Sequence, residues 1–370
     1  MKILALVTDA YGGHGGIAYY NRCLCEALAA MPEVEEIVVV PRVMRFAAGA
    51  LPRGVTFMAE AADGKVAYLK ALAGLALDSF DLVICGHVHL LPLAAPYAWL
   101  KRIPLVLQVH GIDVWTAPGA TVRRTLSTVD AVWSVSAITR ERMNEWARLP
   151  GDRYTIIPNT IHLDHYEMGP RRADLVERYG LAGRQVIMTL ARLAGHERYK
   201  GIDEVLEIMP ELTRSSPSLT YLVVGDGDDR ARLEAKASSL GVADRVIFTG
   251  LVDEADKASY LRLADAFVLP GRGEGFGIVY LEALACGVPV VGSQLDGSRE
   301  ALRDGELGEL ADPTDLGNVR SCVERALKKP RGILPGLKYY EWPRFKQCVA
   351  GAVKAVRSHR APRAQGQVHR

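Results

Sequence analysis

LPGRGEGFGIVYLEALACGVPVV, residues 269–291, decides how this chain folds. The apolar run Ala266–Leu269 reads as a buried strand and Val288–Val291 as the next one. Between them Gly271, Gly273, Gly275 and Gly277 interrupt any regular element, and Ile278–Cys286 then takes up a helical apolar period. A strand, a covering helix and a second strand build parallel sheet buried on both faces. The same stretch holds two glutamates separated by seven residues. Glu274 lies in the glycine-rich loop, where backbone N–H groups at a helix start suit a diphosphate. Glu282 lies about two turns along the helix. That is too far for an adjacent carboxylate dyad, but it can reach another part of one extended ligand. Two separated carboxylates are natural acceptors for sugar and ribose hydroxyls.

Outward from this unit the same alternation continues. In the first half, strands are expected at Ile3–Val7, Glu36–Val40, Val55–Met58, Leu82–Cys85, Leu105–Val109, Ala131–Val135 and Tyr154–Ile157. In the second half they are expected at Val186–Leu190, Tyr221–Val224 and Val246–Phe248, besides the two already named. Helical period fills the intervals, as in Ile17–Ala30, Ile202–Leu212 and Arg230–Leu240. The fold class is therefore α/β, with two Rossmann-like doubly wound parallel-sheet domains; facing each other across a central cleft, they would bring the carboxyl ends of both sheets together. At 370 residues the chain is also too long for one ordinary core. The polar stretch Asn159–Arg172 has no clear apolar period and marks the boundary. The expected division is 1–165, 166–338, a last helix 339–356, and a disordered basic tail, 357–370.

Composition excludes several classes of function. Apolar residues are 49% and charged residues 24%, the balance of a soluble globular protein. A net charge of +2 gives no global attraction to nucleic acid, so no nucleic-acid partner is expected. Only the tail, with Lys354, Arg357, Arg360, Arg363 and Arg370 and no acid, is locally basic. Six cysteines without a C-x-x-C pair read as reduced thiols of a cytoplasmic protein. The opening MKILALVTDAYGG reads as a first strand and not as a signal peptide. No apolar run approaches the ~18 residues of a membrane span. Any work at a membrane is expected from its surface.

Further motifs sit at predicted strand ends. Tyr11-Gly12-Gly13-His14-Gly15-Gly16 leads from the first strand into a helix. A dinucleotide-binding dehydrogenase shares such a turn, but here Val40-Pro41-Arg42 offers no acid for a ribose 2′-hydroxyl. There is no G-x-x-x-x-G-K-[ST] loop either. Arg192 follows a strand, with Lys200-Gly201 in the next polar loop. Two such cations suit a diphosphate, although on the residues alone a solvated loop with ordinary surface charges is the better description. His87 and His89 share one face of a strand end by their period of two; without a third ligand they read as cleft lining and not as a metal pair. Asp226-Gly227-Asp228 is formally a D-x-D, which a metal-dependent transferase of another fold would carry. Its place between a strand and a helix already explains it as a turn with an acidic cap.

This ordered set resembles family 4 of the retaining GT-B glycosyltransferases. The E-x₇-E of Glu274 and Glu282, Arg192 with Lys200-Gly201, and the N-terminal glycine loop match the family pattern. So do His110 within Val109-His110-Gly111-Ile112-Asp113, Gly225-Asp226-Gly227 and Val246–Gly250. The resemblance spans nearly the whole chain. It implies that Arg192 and Lys200 neutralise the diphosphate of a nucleotide-sugar donor, UDP-hexose or GDP-mannose. Glu274 would hold hydroxyls of the transferred sugar, beside the N–H groups of Gly275, Phe276, Gly277 and Ile278. Glu282 would hold the ribose. Backbone of Phe248, Thr249, Gly250 and Val252 would contact the base, Gly15 and Gly225 would belong to the donor site, and Gly16 would let the N-terminal loop close on the diphosphate. His110 would face the reaction centre. His14, His87 and Asp113 would lie on the side of a carbohydrate or lipid-linked acceptor. The last helix would return to the first domain. No metal and no cofactor is implied. A nucleotide-sugar epimerase, a phosphorylase or a non-catalytic nucleotide-sugar-binding protein would share the scaffold. Retention of both glutamates, Arg192, Lys200 and His110 speaks against lost turnover.

Overall fold

The computed structural model describes residues 1–360. The chain forms two compact units: Met1–Thr160 together with the last helix, Trp342–Arg360, and separately Ile161–Glu341. In the first unit the strands are β1 (Lys2–Val7), β2 (Glu36–Pro41), β3 (Val55–Phe57), β4 (Leu82–Cys85), β5 (Leu105–Val109), β6 (Ala131–Ser134) and β7 (Tyr154–Ile156). They form one sheet in the order β3-β2-β1-β4-β5-β6-β7. Every pairing is parallel, with Ile3 opposite both Ile37 and Leu82. Ile3 to Val7 are all buried, which is why the run shows no alternation: both faces are covered.

The second unit has β8 (Gln185–Leu190), β9 (Leu219–Val224), β10 (Val246–Gly250), β11 (Ala266–Val268), β12 (Val290–Ser293) and β13 (Glu309–Ala311). Their order is β10-β9-β8-β11-β12-β13, again all parallel. β13 has no counterpart among the predicted strands. Its three residues, Glu-Leu-Ala, are too few to show a period, and pairing of Val291 with Glu309 makes them a strand. In each sheet the winding reverses once, at β1/β4 and at β8/β11. Open α/β sheets bind ligands at the carboxyl ends of the strands beside such a reversal.

Three boundaries differ from expectation. Residues 161–165 go with the second unit, because Ile161 N–H donates to the Tyr340 carbonyl at 2.9 Å. The last helix starts at Trp342; Tyr339 and Tyr340 belong to a 3₁₀ turn of the second unit, where the Tyr340 ring packs edge-on against Phe276 at 5.4 Å. This helix packs on its own unit, with Phe345 against Tyr20 at 5.9 Å. The expected disordered tail is helical as far as Arg360, and 361–370 lie outside the described residues.

Candidate functional site

Lys200 follows β8 and Glu274 follows β11, so the two flank the reversal of the second sheet. Gly201 makes their approach possible. Its φ is 84°, and a Cβ there would sit 2.4 Å from the Pro270 carbonyl oxygen. Arg272 N–H donates to the Tyr199 carbonyl at 2.7 Å and stitches the two loops together. Lys200 Nζ thus meets Glu274 Oε1 at 2.7 Å with only 18% of the lysine side chain exposed. Burial works against the charge on Lys200, but Glu274 outweighs it and the pKa ends above its ordinary value. Arg192, 59% exposed, pairs with Glu197. Glu197 is buried and also lies 3.9 Å from Lys200 and 3.7 Å from His196. Sequence reading missed Glu197, although an acid between Arg192 and Lys200 was a usable signal.

Glu282 is more enclosed, with 2% of its side chain exposed. Its Oε1 accepts from Lys257 Nζ at 2.6 Å and from the Tyr166 hydroxyl at 3.0 Å. Its Oε2 is buried with no partner, an acceptor available to a ligand hydroxyl. Burial opposes the charge on nearly buried Lys257, yet Glu282 and Glu254 raise its pKa overall. Neither Lys257 nor Tyr166 was singled out from sequence.

The helix Ile278–Ala285 begins at Gly277, φ 83°, without a side-chain cap. Phe276 and Ile278 are themselves buried; the Phe276 ring serves the core against Tyr340, so only backbone at these positions can serve a ligand. Gly225 N–H donates to the Gly250 carbonyl at 3.0 Å, which brings the ends of β9 and β10 together. Arg230 reaches the Phe248 carbonyl at 3.3 Å, and Thr249 Oγ1 donates to the Gly250 carbonyl at 2.9 Å. Val252 is half-buried in the loop that follows.

The D-x-D reading as a helix cap needs correction. The residue at the cap of Arg230–Ser239 is Asp229, and it makes no side-chain cap bond. Asp228 instead accepts the Gly195 N–H at 2.9 Å and ties down the loop carrying Lys200. Asp226 accepts the adjacent Gly227 N–H at 2.8 Å and pairs with Arg230 at 3.3 Å. Both carboxylates are engaged by their own fold.

In the first unit, β1, β4 and β5 are neighbours, and the glycine loop, His87 and His110 follow their carboxyl ends. Gly15, φ 102°, and not Gly16, makes the turn; Gly16 already opens the helix Gly16–Ala29. Arg22 holds the loop by donating to the carbonyls of Ala10 at 2.9 Å and Gly13 at 2.7 Å. His14 is exposed and packs edge-on against Phe46 at 4.1 Å. His110 donates its Nε2–H to the Gly86 carbonyl at 3.0 Å, a tautomer that the carbonyl partner requires. Burial pushes its pKa down to about 4, so it is neutral at physiological pH. His87, lowered to about 4 by burial, is neutral too. His87 and His89 do not share a strand face. β4 ends at Cys85, and His89 N–H donates to His87 Nδ1 at 3.2 Å across a 3₁₀ turn. Asp113 turns back on its own loop, accepting the His110 N–H at 3.2 Å, and burial raises its pKa to about 7. It braces the backbone of the loop that carries His110.

The second unit therefore presents two cations on carboxylate partners, an uncapped helix start and a buried carboxylate oxygen in want of a donor. That inventory suits an anionic ligand bearing hydroxyls. Residues 14–165 match the model of Glycosyltransferase Family 4, and residues 176–335 match that of the glycosyl transferases group 1. The GDP-mannose-dependent alpha-(1-6)-phosphatidylinositol monomannoside mannosyltransferase of Mycolicibacterium smegmatis is 36% identical over 257 residues, covering 64% of this chain and 66% of that protein. The protein of the same name from Mycobacterium tuberculosis is 32% identical over 282 residues, covering 72% of each chain. Anabaena HepE, solved with UDP-glucose, superposes with a TM-score of 0.74 at 22% identity, over 96% of this chain and 100% of that one. At that identity the likeness is one of fold.

Proposed function

The chain belongs to family 4 of the GT-B glycosyltransferases, and from that premise we propose that it transfers mannose from GDP-mannose to a lipid-linked saccharide. We place the work at the cytoplasmic face of a membrane, with retention at the anomeric carbon and without a metal. The observation that carries this reading is the Lys200–Glu274 pair at the sheet reversal. A donor diphosphate arriving there takes Lys200 and Arg192 as its cations and releases Glu274 to the sugar hydroxyls. Glu282 Oε2 accepts from the ribose. Positioning and charge on the leaving group then do most of the catalysis. The departing phosphate oxygen takes the acceptor's proton on the same face, so no side chain need be a general base. Neutral His110 orients and does not deliver a proton. The two mycobacterial relatives favour GDP-mannose over a UDP-hexose.

The test is a thermal-shift comparison of GDP and UDP, followed by transfer from GDP-mannose in excess EDTA. GDP at about 100 times its dissociation constant should add roughly 2.7 kcal/mol, and UDP at equal concentration much less. Transfer should persist in EDTA, because Asp226 and Asp228 are already engaged and the cationic work is assigned to Arg192 and Lys200. Activity lost in EDTA and recovered with Mn²⁺ would overturn the metal-free part. Stabilisation by UDP alone would overturn the donor.

A lipid-linked acceptor finds support in the first unit's surface. Val66, Leu69, Leu77 (93% exposed), Trp99 (75% exposed) and Leu100 stand on two segments, 65–77 and 91–102. The Tyr97 hydroxyl joins these segments by donating to the Leu75 carbonyl at 2.8 Å. Both segments lack acids and carry Lys65, Lys70, Lys101 and Arg102. Exposed Trp and Leu among cations suit an anionic bilayer surface. No helix among the described residues is long and apolar enough to span a membrane. Trp99→Glu with Leu100→Glu should weaken binding to phosphatidylglycerol vesicles on the order of 10- to 100-fold, while GDP binding stays unchanged. Unchanged sedimentation with vesicles would remove this face from the reading.

A further inference from the structure

Both backbone groups of Glu274 are held by one dipeptide. Its N–H donates to Asp296 Oδ2 at 2.9 Å, and its carbonyl accepts the Gly297 N–H at 2.7 Å. The fit is close: a Cβ on Gly297 would lie 2.1 Å from the Gly275 carbonyl oxygen. Asp296 Oδ1 in turn accepts the Ser298 N–H at 3.1 Å and meets the Ser298 hydroxyl at 2.5 Å. Ser298 Oγ also accepts the Ser293 N–H at 2.8 Å, so the clasp is anchored to the end of β12. Asp296 is buried. The titratable groups that face it are Glu274 from the loop after β11 and Tyr280 from the helix that follows.

We propose that Asp296 is a positioning residue of the transfer reaction, holding the Glu274 backbone so that its carboxylate stands where the reacting sugar comes. This rests on the glycosyl-transfer reading above. Two oxygens are needed, because each accepts a different backbone N–H. Asparagine offers one acceptor and would turn an N–H toward either Glu274 or Ser298. Burial first, then the charge of Glu274, pushes the Asp296 carboxyl up to about 6, while its hydrogen bonds hold it down. The sign is informative. A carboxyl raised above its unfolded value of about 4 favours the fold at low pH, and that contribution is lost as pH rises through about 6. A buried carboxylate that costs stability at neutral pH marks a group kept for its two acceptors. Stability and catalysis should therefore respond to Asp296 in opposite directions as pH falls.

The experiment uses the full chain, with GDP-mannose as donor and phosphatidylinositol monomannoside in detergent micelles as acceptor. Asp296→Asn should lower kcat on the order of 10- to 100-fold, with the donor KM within about 3-fold of wild type. Amide exchange of residues 271–277, read without ligand at pH 7.5, should be faster in that variant. Wild-type kcat should fall as pH drops through about 6. Ser298→Ala removes the hydroxyl donor from Asp296, leaving the backbone N–H, and should move that limb to higher pH. A folded Asp296→Asn with kcat within 3-fold of wild type overturns the assignment, and so does faster exchange without loss of kcat. Should Asp296→Asn fail to fold, an unmoved limb in Ser298→Ala overturns it instead. Absence of transfer by the wild-type enzyme overturns the reading beneath it, which separates the two failures.

Discussion

Lys200→Ala is expected to lower kcat/KM for the donor by roughly 10²- to 10³-fold, the largest loss of any single cation in the protein. Two effects combine. The proposed charge-assisted bond to the diphosphate goes, worth about 1.5–3 kcal/mol. Glu274, mostly buried, also loses its 2.7 Å partner and is left a poorly compensated carboxylate beside an incoming anion. Arg192→Ala should cost less, about 10-fold, because Arg192 is 59% exposed and screened by water. Steady-state kinetics on both variants, with thermal melts to confirm folding, decide the matter. Near-normal kinetics in Lys200→Ala would take the diphosphate away from the β8/β11 reversal.

Glu282→Gln should act on binding and on stability together. Removing the charge leaves Lys257 in a nearly dry site with only Glu254, 3.3 Å away and more exposed, as counter-ion. A broken buried pair costs 3–5 kcal/mol, and the amide keeps one hydrogen bond, so a loss of about 2–4 kcal/mol is expected. For a unit of this size that is a fall in Tm of roughly 4–16 °C. If Glu282 holds the ribose as proposed, the donor KM should rise about 10- to 100-fold while kcat changes less than 3-fold, since a ribose contact is made alike in ground and transition states. Glu274→Gln should show the opposite split, lowering kcat. A wild-type preference for GDP over its 2′,3′-dideoxy analogue should disappear in Glu282→Gln. The reverse ranking of the two glutamates would exchange their roles, and an unchanged Tm would remove the structural half.

The outer limits of the elements were legible because buried parallel strands are short apolar runs and their covering helices carry a 3.6-residue period. Both signals are local. The Tyr339–Val356 segment shows what locality misses. Its helix starts at Trp342 because Tyr340 is already committed to Phe276 and the Ile161 N–H, partners invisible to a sequence window. β13 was invisible for the same reason. His87 and His89 were given a strand face because strand ends carry no marker in the sequence.

By itself the sequence determined the α/β class, the run of parallel strands apart from β13, and the identity of Glu274, Glu282, Arg192 and Lys200 as chemistry worth placing. Tertiary structure alone decided what each of these touches. Lys200 and Glu274 meet across 74 residues, Lys257 and Glu282 across 25, and Glu274 and Asp296 across 22. A parallel sheet returns every strand to the same edge by a covering connection, so residues distant in sequence converge at its carboxyl ends. The charge states were decided there as well. His110 is neutral and Asp296 titrates near 6 because burial removes water from them, and burial belongs to the folded chain and not to any stretch of it.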